Sequence, residues 1–68
     1  MADSVYKVIE LVGTSATGWE DAAKNAVDTA GESLKNLRIA EILKLDMAME
    51  EGTVRFRARV ALSFKIET

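Results

Sequence analysis

From Val54 to Ile66 the chain alternates without a break: Val54, Phe56, Ala58, Val60, Leu62, Phe64 and Ile66 are apolar, and Arg55, Arg57, Arg59, Ala61, Ser63 and Lys65 fall between them. A period of two held this long predicts a half-buried antiparallel strand. At ~3.4 Å per residue such a strand runs about 44 Å. A domain of 68 residues has too few other elements to cover that length. Part of its apolar face is therefore expected to find its cover on another chain.

The composition points the same way. One domain spanning 1–68 is expected, and a domain this small buries only about 60% of its unfolded surface, so it is marginal as a monomer. Disulfides, a metal or oligomerisation are the usual reinforcements. The chain has no cysteine and no histidine, which removes disulfides, thiolate or imidazole zinc sites and every Cys- or His-based catalytic arrangement. Self-association remains, with or without an oxygen-ligated cation, and an apolar share of 49% favours it. A formal net charge of −2 disfavours nonspecific nucleic-acid binding and adhesion to an anionic membrane. No apolar run approaches the ~20 residues of a membrane-spanning helix, and Met1 to Tyr6 lacks the basic and apolar regions of a signal peptide. The expected location is the cytoplasm.

Upstream, Val5 to Val12 reads as a first strand with Tyr6, Val8 and Val12 on one face and Val5, Ile9 and Leu11 on the other. Because both faces are apolar, a central or doubly covered strand is expected. Gly13, Thr14 and Ser15 read as the turn that ends it. Thr17 and Glu20 fit a helical capping box, with Gly18 as the competing N-cap. Trp19, Ala22, Ala23, Ala26, Val27, Ala30, Leu34 and Leu37 then recur at helical spacing, which predicts a helix over about 18–35, ~27 Å long. That is well short of the last strand. Ile39 to Met49 is a second strand, expected to place Ile39, Glu41, Leu43, Leu45, Met47 and Met49 on one face and Ala40, Ile42, Lys44, Asp46 and Ala48 on the other. Glu50-Glu51-Gly52-Thr53 supplies a hairpin connection. The order is β-α-β-β, an α+β domain.

Few features point to chemistry. Gly13-Thr14-Ser15 ahead of a helix can cradle a phosphate, but it lacks the Walker and dinucleotide glycine spacings and reads better as a plain strand–helix turn. Trp19 can serve as a stacking platform, but it lies on the apolar helical stripe and reads as packing. Arg55, Arg57 and Arg59 step ~7 Å apart along one strand face and suit a phosphate backbone or the lining of an anion pocket. With no aromatic residues interleaved and acidic neighbours, cross-strand or intersubunit ion pairing is the better reading. Asp46, Glu50 and Glu51 offer hard oxygen ligands to calcium, although no EF-hand loop is present. No nucleophile–base pair is visible, so a non-enzymatic role is expected.

Val5-Tyr6-Lys7-Val8-Ile9-Glu10-Leu11-Val12-Gly13-Thr14-Ser15, the Ala22-Ala23…Ala26 helix and the closing Val60-Ala61-Leu62-Ser63-Phe64-Lys65 resemble a dodecin over nearly the whole chain. The resemblance implies a three-stranded antiparallel sheet partly wrapping one helix, assembled into a hollow homododecamer, with storage or buffering of a small ligand as its role. In flavin-binding dodecins a tryptophan on the second strand stacks on the isoalloxazine, a glutamine on the third reads its edge, and an arginine lies near the phosphate. The matching positions here are Ile39, Arg57 and Asp46. All three differ, the last with reversed charge. Loss of one stacking aromatic costs ~1–3 kcal/mol, so the flavin site implied at Ile39 and Arg57 is degenerate. Trp19-Glu20, Leu37-Arg38-Ile39-Ala40, Asp46-Met47-Ala48 and Ser63-Phe64-Lys65 are similar to the calcium dodecin branch, which lacks that tryptophan. The expected function is a non-catalytic, homododecameric small-ligand or ion binding and storage protein, with calcium as the implied cofactor and Asp46, Glu50 and Glu51 as its candidate ligands. The alternatives are a dodecin that binds FMN or riboflavin in a repacked pocket, and an interaction module using the arginine stripe. Self, and a small ligand or ion, are the expected partners; nucleic acid and membrane are not.

Overall fold

The alternating pattern that opens the sequence reading forms the backbone of the fold. The structure, a computed structural model, describes residues 3–66 and runs β1 (Tyr6–Ser15), α1 (Trp19–Gly31), β2 (Leu37–Glu50) and β3 (Thr53–Lys65). The three strands form one antiparallel sheet in the order β1-β3-β2. The longest alternating segment, β3, is therefore central, and β1 is an edge strand, so of the two expectations for its apolar faces, a central or a doubly covered strand, the central one does not hold. β1 also runs three residues further than expected. Gly13, Thr14 and Ser15 pair with Ala58, Arg57 and Phe56, so they extend the strand and the turn begins after them.

The helix is shorter than its apolar stripe. Gly18 is its N-cap and no side chain caps it, so the Thr17–Glu20 capping box does not form. With Gly18 as cap, the residue whose side chain reaches back is Asp21. At the other end the last turn tightens, with Ser33 N–H bonding to Ala30 O at 3.2 Å, and the helix stops at Gly31 rather than near Lys35. Asn36, at φ 63°, then turns the chain into β2.

Ala22, Ala26 and Ala30 of α1 pack on Ala58, Val60 and Leu62 of β3, flanked by Ile9, Leu11, Ala23, Val27, Leu34 and Leu37. Small helix residues bring α1 close to the sheet. Gly13 marks the closest approach: a Cβ there would collide with the carbonyl oxygen of Ala22 and press on the Ala26 side chain. Among the described residues only Leu62 and Val60 are large and fully buried, so the core is thin.

One irregularity redistributes the faces of β2. The register slips between Ile42 and Lys44, as a β-bulge does, so Ala40 and Ile42 fall in line with Leu45, Met47 and Met49 opposite Leu62, Val60, Ala58, Phe56 and Val54. Unbroken alternation places Ile39 and Asp46 on opposite faces. The bulge puts both on the face turned away from the helix, since a one-residue slip inverts every later side chain. The helix packs mainly on β1 and β3 and barely on β2. Consequently the β2–β3 hairpin projects as an arm in a molecule 55 × 20 × 14 Å, with Leu45, Met47, Met49 and Val54 exposed on it. The arm turns through Glu51 and Gly52, both at positive φ as a two-residue type I′ turn requires.

Candidate functional site

Three places among the described residues are candidates for a site. At the β1–α1 junction the Ser15 hydroxyl, buried, donates to Asp21 Oδ2 at 2.7 Å and accepts from the Thr17 N–H at 2.9 Å. Asn25 Nδ2 ties the helix to the Thr14 carbonyl at 2.9 Å. The Asp21 carboxylate thus lies at the helix N-terminus, where an anion would bind, and like charge opposes a phosphate there. The junction is a structural clasp.

The second place is the face of the sheet turned away from the helix. Asp46 and Arg57 are direct cross-strand partners, and Arg57 Nε donates to Asp46 Oδ1 at 2.8 Å. Arg59 reaches Glu10 on β1 at 3.4 Å. Two of the three arginines therefore pair across strands, as the acidic neighbours implied, and the row is not a free basic stripe. Trp19 reaches the same region from the other side: its indole Nε1–H donates to the Asp46 carbonyl at 3.0 Å, and its ring meets Phe56 edge-on at 5.1 Å. A stacking platform needs an open ring face, whereas this indole anchors the helix start to the arm. Beside it Trp19, Glu20, Ala23, Ile42 and Leu45 line an apolar recess of about 210 Å³.

The third place is the hairpin end, where Glu50, Glu51, Thr53 and Arg55 line an open recess. Among the described residues no group of three or more carboxylates is arranged to hold a metal ion. Asp46, Glu50 and Glu51 lie along one hairpin without forming such a cluster. Calcium takes six to eight oxygens, more than the described carboxylates of one chain bring together. Ile39 and Arg57 share a face but not a neighbourhood: Ile39 pairs with Ser63, about 20 Å along β3 from Arg57. No helix among the described residues is long and apolar enough to cross a membrane.

The geometry of a thin-cored, arm-bearing β-α-β-β unit finds close counterparts. The dodecin family model matches residues 5–67. The chain belongs to the dodecin family. Among curated proteins, the calcium dodecin of Mycobacterium tuberculosis is 44% identical over 64 residues, covering 93% of this chain and 90% of the relative. The solved structure of that dodecin, described as calcium-chelating with a novel calcium-binding site, superposes with a TM-score of 0.86 at 43% identity, covering 94% of this chain and 93% of the other. The dodecin from Streptomyces coelicolor superposes with a TM-score of 0.90 at 33% identity over 100% of this chain and 99% of its own. Two features of this dodecin escape the sequence pattern: the Trp19–Asp46 hydrogen bond, which joins residues 27 apart, and the bulge that aligns Ile39 with Asp46. The only sequence signal for the bulge is the odd placement of Glu41 in an otherwise apolar series.

Proposed function

We propose that this chain, as a single domain over 1–68, is a non-catalytic, cytoplasmic dodecin that assembles as a homododecamer and binds and stores a small ligand or ion, with calcium the first choice. The observation that carries the reading is 44% identity, across 93% of the chain, to a protein named for calcium. The exposed apolar arm supports assembly, because Leu45, Met47, Met49 and Val54 have no cover within the chain. Asp46, Glu50 and Glu51 are the candidate ligands. Since no carboxylate trio forms among the described residues of one chain, backbone carbonyls, water or a second subunit complete the site. Calcium would supply charge neutralisation of these carboxylates and hold the subunits that provide them.

The flavin alternative finds less support. Ile39 and Arg57 replace the residues that stack on and read the isoalloxazine in flavin-binding dodecins. Calorimetric titration of chelator-stripped protein, with melting curves with and without calcium, tests the main reading. Binding heat and a rise in the melting temperature are expected, since calcium at a hundredfold its dissociation constant adds ~2.7 kcal/mol by linkage. No heat and an unchanged melting temperature at millimolar calcium would leave the carboxylates as solvated surface.

A further inference from the structure

β2 pairs with β3 on one side and leaves its other edge open. The two-residue turn closes the hairpin with Glu50 and Thr53 as a hydrogen-bonded pair, so bonds to β3 recur at Ala48, Asp46 and Lys44. The N–H and C=O groups of Leu45, Met47 and Met49 therefore point to the open side. Bonds from the Ile66 N–H to the Val5 carbonyl at 2.8 Å and from the Lys65 N–H to the Asn36 carbonyl at 3.0 Å fit that parity, since even positions of β3 serve β1 and odd positions serve β2. The register of β2 shifts between Leu37 and Ile39 and between Ile42 and Lys44, and it runs without interruption from Lys44 to Glu50. Bulges and prolines are ordinary means of blunting an edge, and residues 44–50 have neither.

We propose that residues 44–50 pair antiparallel with the same residues of a second copy of this chain, about a two-fold axis at Met47, so that two three-stranded sheets join into one. The proposal rests on the self-association reading above. The axis falls at the midpoint of the uninterrupted edge and so uses all of it. Lys44 then faces Glu50 of the second copy, Leu45 faces Met49, Asp46 faces Ala48, and Met47 faces its own counterpart. Neither Lys44 nor Glu50 has an ion-pair partner among the described residues, and within the chain Lys44 lies across from Arg59, a like charge. The second copy supplies the carboxylate that Lys44 lacks. Other registers do worse. An axis at Asp46 sets two aspartates opposite one another, an axis at Ala48 sets Asp46 against Glu50, and an axis at Leu45 or Met49 runs at once into the bulge or the turn. An axis between residues puts the apolar face of one arm beside the polar face of the other. With the axis at Met47, the exposed Leu45, Met47 and Met49 of both copies form one apolar stripe on the helix side.

The test is native mass spectrometry of the full chain through a dilution series, on the unaltered protein, Lys44→Glu, Glu50→Lys and the double exchange. Each single reversal turns two attractions across the axis into two repulsions, so association about tenfold weaker is expected, and the double exchange should return it to within about threefold of the unaltered protein. Lys44→Glu also removes a like-charge pair inside the chain, so its loss of assembly does not come from a weakened fold. Met47→Cys supplies a second reading, since the chain has no cysteine of its own. Its counterparts lie ~5.5 Å apart between Cα atoms, and a short bifunctional thiol reagent should join them as covalent dimers. Lys24→Cys, on the exposed helix face, should stay unjoined. Single reversals that assemble like the unaltered protein, a double exchange no better than the singles, or Met47→Cys that yields no covalent dimer each overturn the strand pairing and leave self-association standing. A monodisperse monomer of the unaltered protein at micromolar concentration defeats both.

Discussion

Gly13 carries more of this fold than its lack of a side chain suggests. It pairs with Ala58 in the sheet while the Ala22 carbonyl and Ala26 methyl close over it, so α1 lies where a Cβ at residue 13 would be. Gly13→Ala must push the helix off the sheet that its alanines cover, a form of overpacking that costs about 1–3 kcal/mol and more where backbone cannot yield. A fall of at least ~5 °C in melting temperature is expected at fixed protomer concentration. A midpoint within a degree would mean that the helix retreats freely. Sequence reasoning singled out Gly13 for the wrong reason. Glycine before Thr and Ser is ordinary turn chemistry, and only the position of a helix nine residues on reveals that it is a packing requirement. Ile39 is the converse case. Its role as a lost stacking position came from family likeness, and its high exposure (62%) leaves room for an indole. Ile39→Trp with Arg57→Gln is expected to tighten riboflavin binding about tenfold, read by quenching of flavin fluorescence. No gain would mean that the geometry of a flavin pocket is gone along with its residues.

At the level of elements, β3 was legible because nothing interrupts its alternation, and the structure keeps Thr53–Lys65 as one strand. β2 was legible in extent but not in facing, since the register shift between Ile42 and Lys44 left only the odd placement of Glu41 as its mark in the sequence. Helix ends were the least legible, because Gly18 and Thr17 both satisfy the chemistry of a cap and only the tertiary pull of Ser15 on Asp21 selects between them. The hairpin turn offers a direct test. Glu51 occupies φ 48°, a left-handed conformation that a Cβ-bearing residue adopts only at a cost of ~1–2 kcal/mol, whereas asparagine tolerates it. Glu51→Asn should therefore stabilise the folded protein by about 0.5–1 kcal/mol, seen as a higher urea midpoint with an unchanged slope. A lower midpoint would show that the Glu51 carboxylate does more for the arm than its backbone strain costs. On the helix, Lys24 is paired with Asp28 at 2.6 Å on a fully exposed face, and that hydrogen bond, then the Asp28 charge, raises the Lys24 pKa above 10.5. A raised pKa gives stability that is complete below the unfolded value and is lost as pH climbs through the folded one, so this pair makes no pH dependence near neutrality.

For the whole molecule, the lengths of the elements argue for company. The 13-residue helix is ~20 Å long, yet the molecule extends 55 Å, so α1 covers less than half of it. What it leaves bare on its own side of the sheet is Ile42, Leu45, Met47, Met49 and Val54, with Met49 at 77% exposure. A core whose large, fully buried side chains among the described residues are Leu62 and Val60 offers little to hold such an arm in a lone chain. Burial against further copies of the chain would remove that apolar surface from water and add the stability that the single chain lacks. Native mass spectrometry is expected to show a homododecamer and no stable folded monomer at micromolar concentration. Leu45→Glu should break the assembly, because a half-exposed leucine tolerates a carboxylate in the isolated chain but not in a dry interface, where an unpaired charge costs several kcal/mol. Lys24→Glu, on the exposed face of the helix away from the arm, is the control and should assemble normally. A Leu45→Glu protein that remains dodecameric, or an unaltered protein that runs as a monodisperse monomer, would mean that the arm's apolar face has some purpose other than joining subunits.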